Sequence, residues 1–258
     1  MGKPMRNRFD VSGKTVIVTG ATSGIGRAIA MGFAEARARV VVASRNSRAC
    51  DEVAEAICEA TGGQAIGMAC DVSQWDAVPA FVDRVCEKFG RLDVLVNNAG
   101  LYGLTPILDM TSEEWDRVLA VNLKGPLRLS ALSVPRMAAN SGGSIINVAS
   151  MGAYRPTLNA SAYASSKAAL CNLTRVMAGE WASLGIRVNT LLPGPIYTEA
   201  MQETGRQKPG FVDRVTQMTF LKRLGRPDEC VGVALYLASD ASAFVTGVDH
   251  IVAGGYGI

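Results

Sequence analysis

Short runs of Val and Ile alternate along the chain with longer stretches in which apolar residues recur every three or four positions. The short runs fall at 15–19, 40–43, 65–70, 92–96, 144–148, 187–191 and 249–252. Each reads as a strand buried on both faces, because no polar residue alternates with the apolar ones. The longer stretches, at 26–36, 50–60, 77–89, 112–138, 162–184 and 228–238, read as helices. Strict alternation of the two predicts right-handed βαβ units. The expected fold class is therefore α/β, a single-domain Rossmann-like, doubly wound parallel sheet with helices on both faces, spanning 1–258. Residues 193–226 break both periods. They are expected to form a mobile substrate flap at about 195–222, or else an ordinary surface loop.

Composition narrows the field. The chain has 258 residues, 48% of them hydrophobic, enough for a sizeable core. Its 26 basic and 23 acidic residues are spread evenly, so nucleic acid is not an expected partner. The first ten residues contain no apolar signal region, and no apolar run is long enough to span a bilayer. No membrane association and a cytoplasmic location are expected. Six cysteines without a CxxC pair fit a reducing compartment. The lone histidine, His250, has no ligand-type neighbours, so it is expected to be packed and no metal site is expected.

The first strand runs directly into TGATSGIG, which places Gly20, Gly24 and Gly26 at a turn and on the first turn of a helix. Small residues let the backbone approach a diphosphate, and the helix N-terminus offers free N–H groups and a favourable dipole. At the end of the second strand, where an acid would select a ribose 2′-hydroxyl, stand Ser44 and Arg45. A guanidinium contact to a 2′-phosphate is worth about 1.5–3 kcal/mol, roughly 10- to 150-fold in favour of NADP(H), with NAD(H) still possible. The alternative is that Arg45 simply faces water.

Further along, Tyr163 and Lys167 are four apart in a helical stretch and share one face. Moving a phenol about 3 units from its ordinary value near 10 takes roughly 4 kcal/mol, and a neighbouring ammonium shifts it in the useful direction.

Taken together, TGATSGIG, NNAG (97–100), Asn122 in VNLKG, Ser150, YASSK and PGPIYT (193–198) resemble the short-chain dehydrogenase/reductase family. The resemblance runs from about Phe9 to Gly255. It implies that Tyr163 is the general acid or base, that Ser150 hydrogen-bonds the substrate oxygen, and that Lys167 also holds the cofactor ribose. Asn122 would position a water linking Lys167 to solvent. Cofactor contacts are implied for Gly20, Thr22, Ser23, Gly24, Ile25, Gly26, Ser44, Arg45, Asp71, Val72, Asn98, Ala99, Gly100, Pro193, Gly194, Ile196 and Thr198. Asp71 equally suits an N-cap for a helix near Gln74. Tyr102, Met151 and Tyr154 are expected beside Ser150 and Tyr163 in the substrate pocket.

The expected reaction is NADPH-dependent reduction of a ketone to a secondary alcohol, or the reverse. The substrate could also be a 3-oxoacyl thioester, a sugar or a sugar acid. A catalytically silent NADP(H) sensor or scaffold is the rival reading. The resemblance also implies a homotetramer or homodimer. Three departures stand out: no glycine closes the first helix near Arg37 and Ala38, Ala253 replaces a usual Asp, and Gly179 interrupts the helix bearing Lys167.

Overall fold

The computed structural model describes residues 8–257; the expectation of a frayed, unlipidated N-terminus falls on residues 1–7, outside the described residues. Seven strands form one parallel sheet: β1 (Thr15–Thr19), β2 (Arg39–Ser44), β3 (Gln64–Ala69), β4 (Val94–Asn97), β5 (Gly143–Val148), β6 (Ile186–Pro193) and β7 (Asp249–Val252). Their order is β3-β2-β1-β4-β5-β6-β7. The chain leaves β1 in one direction and returns to its other side at β4. That reversal opens a crevice beyond the carboxyl ends of β1 and β4.

Alternate side chains of the strands feed two cores. Val16, Val18, Val40, Val42, Val94 and Val96 pack under α1 (Gly24–Glu35), α2 (Ser47–Thr61) and α9 (Val231–Ala238). Ile17, Val41, Leu95, Ile145 and Val188 pack against α3 (Val78–Phe89), α5 (Gly125–Ala138) and α6 (Ser161–Trp181). Each such side chain fully withdrawn from water contributes about 1.5–3 kcal/mol. This double burial explains why the central strands carry no polar alternation. The expectation of two buried faces fails for the edge strands. Most of β3 and β7 is only partly buried, and Ile251 is half exposed, because each has a neighbour on one side only.

Two further expectations need correction. The stretch 112–138 is not one helix but α4 (Ser112–Leu119), a π-helical turn (Ala120–Lys124) and α5. The irregular stretch 193–226 contains two helices, α7 (Glu199–Gln207) and α8 (Phe211–Gln217). Thr198 caps α7, its hydroxyl accepting from the N–H of Met201, and Glu199 suits the first turn. Both helices are short and have too few apolar residues to show a period.

Helix α1 ends as its missing glycine foretold. Arg37 takes the left-handed conformation at φ 63°, and the N–H of Ala38 returns to the carbonyl of Phe33. Among the described residues, no helix is long and apolar enough to cross a membrane.

Candidate active site

The turn between β1 and α1 is shaped by close approach. Gly20 and Gly24 have φ of +62° and +52°. A methyl added at Gly26 would lie 2.3 Å from Asn98 Nδ2 and 2.4 Å from the carbonyl oxygen of Gly20. Asn98 explains this tightness: its Nδ2 donates to the carbonyls of Thr19 (2.9 Å) and Gly20 (3.1 Å). In return, Thr19 Oγ1 accepts from the backbone N–H groups of Asn98 and Ala99 at 3.0 Å each. Ser23 stands at the N-cap of α1 without a side-chain cap bond, and no acid lies in the first turn. The leading N–H groups are thus left to a ligand, and an anion suits them.

A cavity of about 700 Å³ runs from this turn across the carboxyl ends of the strands. Every residue expected to touch a cofactor lines it, from Gly20, Thr22, Ser23, Gly24, Ile25 and Gly26 through Ser44, Arg45, Asp71, Val72, Asn98, Ala99 and Gly100 to Tyr163, Lys167, Pro193, Gly194, Ile196 and Thr198. A dinucleotide fits the donor set: a backbone cradle that excludes Cβ atoms, free helix N–H groups, and Arg45 exposed without an ion-pair partner among the described residues. Asp71 serves both of its expected roles in part. It lines the cavity, and its Oδ1 accepts from the N–H and hydroxyl of Ser73, capping a turn rather than a helix, since α3 begins only at Val78.

At the other end, Ser150 follows β5, and its Oγ accepts from the N–H of Gly152 at 3.0 Å. Tyr163, which α6 brings in from the opposite side, shares the space beside Gly152 with Ser150: a methyl added there would lie 3.3 Å from the Tyr163 ring and 3.4 Å from Ser150 Oγ. Tyr102 meets the Tyr163 ring edge-on at 4.9 Å. Burial, and secondarily Tyr102, hold the Tyr163 phenol above its ordinary range, while the Ser150 hydrogen bond pulls it down. Lys167, expected to lower this phenol, is not among the groups that shift it. Lys167 Nζ lies 5.9 Å from the ring centre and donates to the carbonyl of Val148 at 2.7 Å. Its own pKa is lowered by burial to about 8. Tyr163 is therefore protonated at neutral pH, ready to give a proton.

A family model described as enoyl-(acyl carrier protein) reductase matches residues 20–257. D-threitol dehydrogenase of Mycolicibacterium smegmatis is 38% identical over 253 residues, 97% of this chain and 95% of that protein. The chain belongs to the short-chain dehydrogenase/reductase family. It is an oxidoreductase of the class that acts on alcohols and carbonyls with a nicotinamide cofactor. A 7α-hydroxysteroid dehydrogenase solved with NADH and 7-oxo glycochenodeoxycholic acid superposes with a TM-score of 0.93 at 37% identity, covering 98% of this chain and 99% of that one. A gluconate 5-dehydrogenase from Burkholderia cenocepacia, solved with NADP and tartrate, gives 0.91 at 33% identity, covering 96% and 97%.

Within this short-chain dehydrogenase/reductase, Asn122 is not on the cavity wall. It is fully buried beneath Gly100, in the π turn. Its Oδ1 accepts from the N–H of Leu101 (2.7 Å), while Nδ2 donates to the Leu101 carbonyl (2.9 Å) and Ser166 Oγ (3.0 Å). The side chain is thus committed to pinning the segment after β4. Pro126, four residues on, has no N–H to return to the Asn122 carbonyl.

Met151 and Tyr102 stand in the cavity as expected. Tyr154 does not. Its hydroxyl bonds Asp249 and Arg175 on the outer side of α6, away from the cavity. The turn Met151–Ala153 carries the chain around, so a residue four beyond Ser150 faces outward. Sequence reasoning missed Arg155 and Tyr256, both on the cavity wall. Arg214, within the stretch expected as a flap, lines the cavity from α8. A single helical turn beyond Met151 was the available signal for Arg155; Tyr256 arrives by tertiary packing alone. His250 packs edge-on against Tyr236, with ring centres 6.0 Å apart.

Proposed function

We propose that this chain is an NADP(H)-preferring reductase that converts a ketone to a secondary alcohol, with Tyr163 as general acid. The observation that carries this reading is the convergence of Ser150, Tyr163 and Lys167 in a cavity that also contains a Cβ-excluding glycine turn. Gly20 to Gly26 would hold the diphosphate, Ser44 and Arg45 the adenosine ribose and its 2′-phosphate, and residues 193–198 the carboxamide. When bound, the nicotinamide supplies or accepts the hydride. The chain's own part is orientation and proton handling.

Ser150 Oγ meets the carbonyl oxygen and stabilises the negative charge that grows on it. Tyr163 gives its proton to that oxygen, and the Lys167 ammonium then favours the resulting phenolate. The Asn122 carbonyl holds a water that reloads Lys167 from solvent. Helices α7 and α8 act as the cover that excludes water. Relatives solved with NADH and with NADP show that the family accepts both, so Arg45 is what supports NADP(H) here. Relatives named for a polyol, a steroid and a sugar acid leave ketones of medium size as the substrate class. The exposed face of α6, with Val176 half exposed and Gly179 open, supports pairing with further copies into a homodimer or homotetramer. Light scattering should give the mass of one of these and not of a monomer.

The deciding experiment follows reduced-nicotinamide absorbance across a ketone panel. Turnover is expected with NADPH, and Tyr163→Phe should lower kcat by at least about a hundredfold while dinucleotide affinity survives. Absence of turnover across a broad panel despite tight NADPH binding would leave a nucleotide sensor instead.

A further inference from the structure

The cavity carries positive charge that proton and hydride transfer do not require. Arg155, whose N–H donates to the Met151 carbonyl at 2.8 Å, sits one helical turn past Met151, and Arg214 reaches the same cavity from α8. Neither has an ion-pair partner among the described residues, whereas Arg206 on neighbouring α7 is paired with Glu203, Arg223 with Glu229, and Arg226 with Asp228. The same cavity is lined by buried Met151 and Val215, and the Arg155 guanidinium lies over the Tyr256 ring at 5.4 Å.

The acids of the cavity do not answer them. Glu199 Oε2 lies against the glycine turn, 3.6 Å from where a Gly24 Cβ would stand, and Asp71 Oδ1 is held by Ser73. Two cations of one cavity without ion-pair partners, with Glu199 beside the glycine turn and Asp71 held by Ser73, favour an oxyanion over a neutral ligand.

We propose that Arg155 and Arg214 form an anion subsite, so that the substrate is a ketone or alcohol carrying a carboxylate or phosphate away from the reacting carbon. This deepens the oxidoreductase reading and rests on it for the identity of the reacting group. Guanidinium contacts of this kind give about tenfold to a hundredfold discrimination.

The test reads binding apart from turnover. Calorimetry on the protein saturated with NADP⁺ would compare 4-oxocyclohexanecarboxylate with its primary amide, and hydroxyacetone phosphate with hydroxyacetone. At least one anionic ligand should bind about tenfold or more tightly than its neutral mate. In the Arg155→Gln/Arg214→Gln double variant that ratio should fall to within about twofold, and in Arg206→Gln it should stand. The arm that shows the preference identifies carboxylate or phosphate. Equal binding of both anions and their neutral mates, a ratio unmoved in the double variant, or loss of NADP⁺ binding in that variant would overturn the proposal. A preserved ratio with no hydride transfer to any ketone would instead overturn the reductase reading and leave the anion subsite standing.

Discussion

Where the nucleotide end of the cavity is closed by backbone against backbone, the substrate end is closed by side chains. Gly20 and Gly26 lie so near Asn98 that no methyl fits, and four N–H or amide contacts around Thr19 and Asn98 fix the turn. At the cavity's other walls, the short helices α7 and α8 contribute Met201, Thr204, Phe211 and Arg214, and Met218 follows α8. Backbone geometry tolerates few residue types, so the first end recognises one ligand shape. Side chains on surface helices can change without disturbing the fold, so on the proposed function the second end is the one open to variation in substrate.

The largest effect should come from violating the backbone fit. Gly26→Val should weaken dinucleotide binding by about tenfold to a hundredfold, as expected for overpacking of 1–3 kcal/mol, whereas Met201→Ala on α7 should change it less than about threefold in the same titration. Comparable losses in both would erase the contrast between the two ends.

Next is the charge at the catalytic end. Lys167 is lowered to about 8 from 10.5 by burial, so between those values the unfolded chain binds more protons than the folded one and stability rises with pH. Below pH 8 the buried ammonium costs roughly 3 kcal/mol, only partly offset by its bond to Val148, worth about 1 kcal/mol. Lys167→Met should therefore abolish turnover yet raise the thermal midpoint at pH 7, and that advantage should shrink as pH climbs from 8 towards 10.5. An unchanged or lowered midpoint at pH 7 would mean that the site holds its ammonium without strain.

A smaller effect belongs to Arg45. Its replacement by Ala should raise KM for NADPH about tenfold and leave KM for NADH within about twofold in steady-state assays. Equal changes would place Arg45 in water.

The two ends also differ in how much the sequence disclosed. TGATSGIG, NNAG, Ser150 and YASSK are legible because each fixes a backbone path or a reacting group at set spacing, and the structure brings them to one cavity. The cover was read as a loop because α7 and α8 have too little apolar surface to leave a period, and Thr198-Glu199, a serviceable cap, is a weak signal alone. Tyr154 was misplaced by a turn whose direction spacing cannot reveal, and Tyr256 lies about a hundred residues from Arg155, whose guanidinium it meets. Arg37 was legible as a substitute for glycine, and it takes the left-handed conformation at φ 63°. Arg37→Gly should add up to about 1 kcal/mol of stability, a rise of roughly 2–4 °C in the melting midpoint, with kinetics untouched. No rise would mean that contacts of the Arg37 side chain offset its backbone strain.

The π turn at Ala120–Lys124 holds one more residue than an α-helical path would, and an extra residue rotates everything beyond it by about 100° around the axis. Helix α4 can therefore aim its few buried groups by one rule and α5 its many by another, without a loop between them. Removing a single residue there would turn Leu129, Val134 and Met137 away from the sheet and release Leu101 at the same stroke. The core beneath the sheet and the floor of the cavity are thus set by the same miscount.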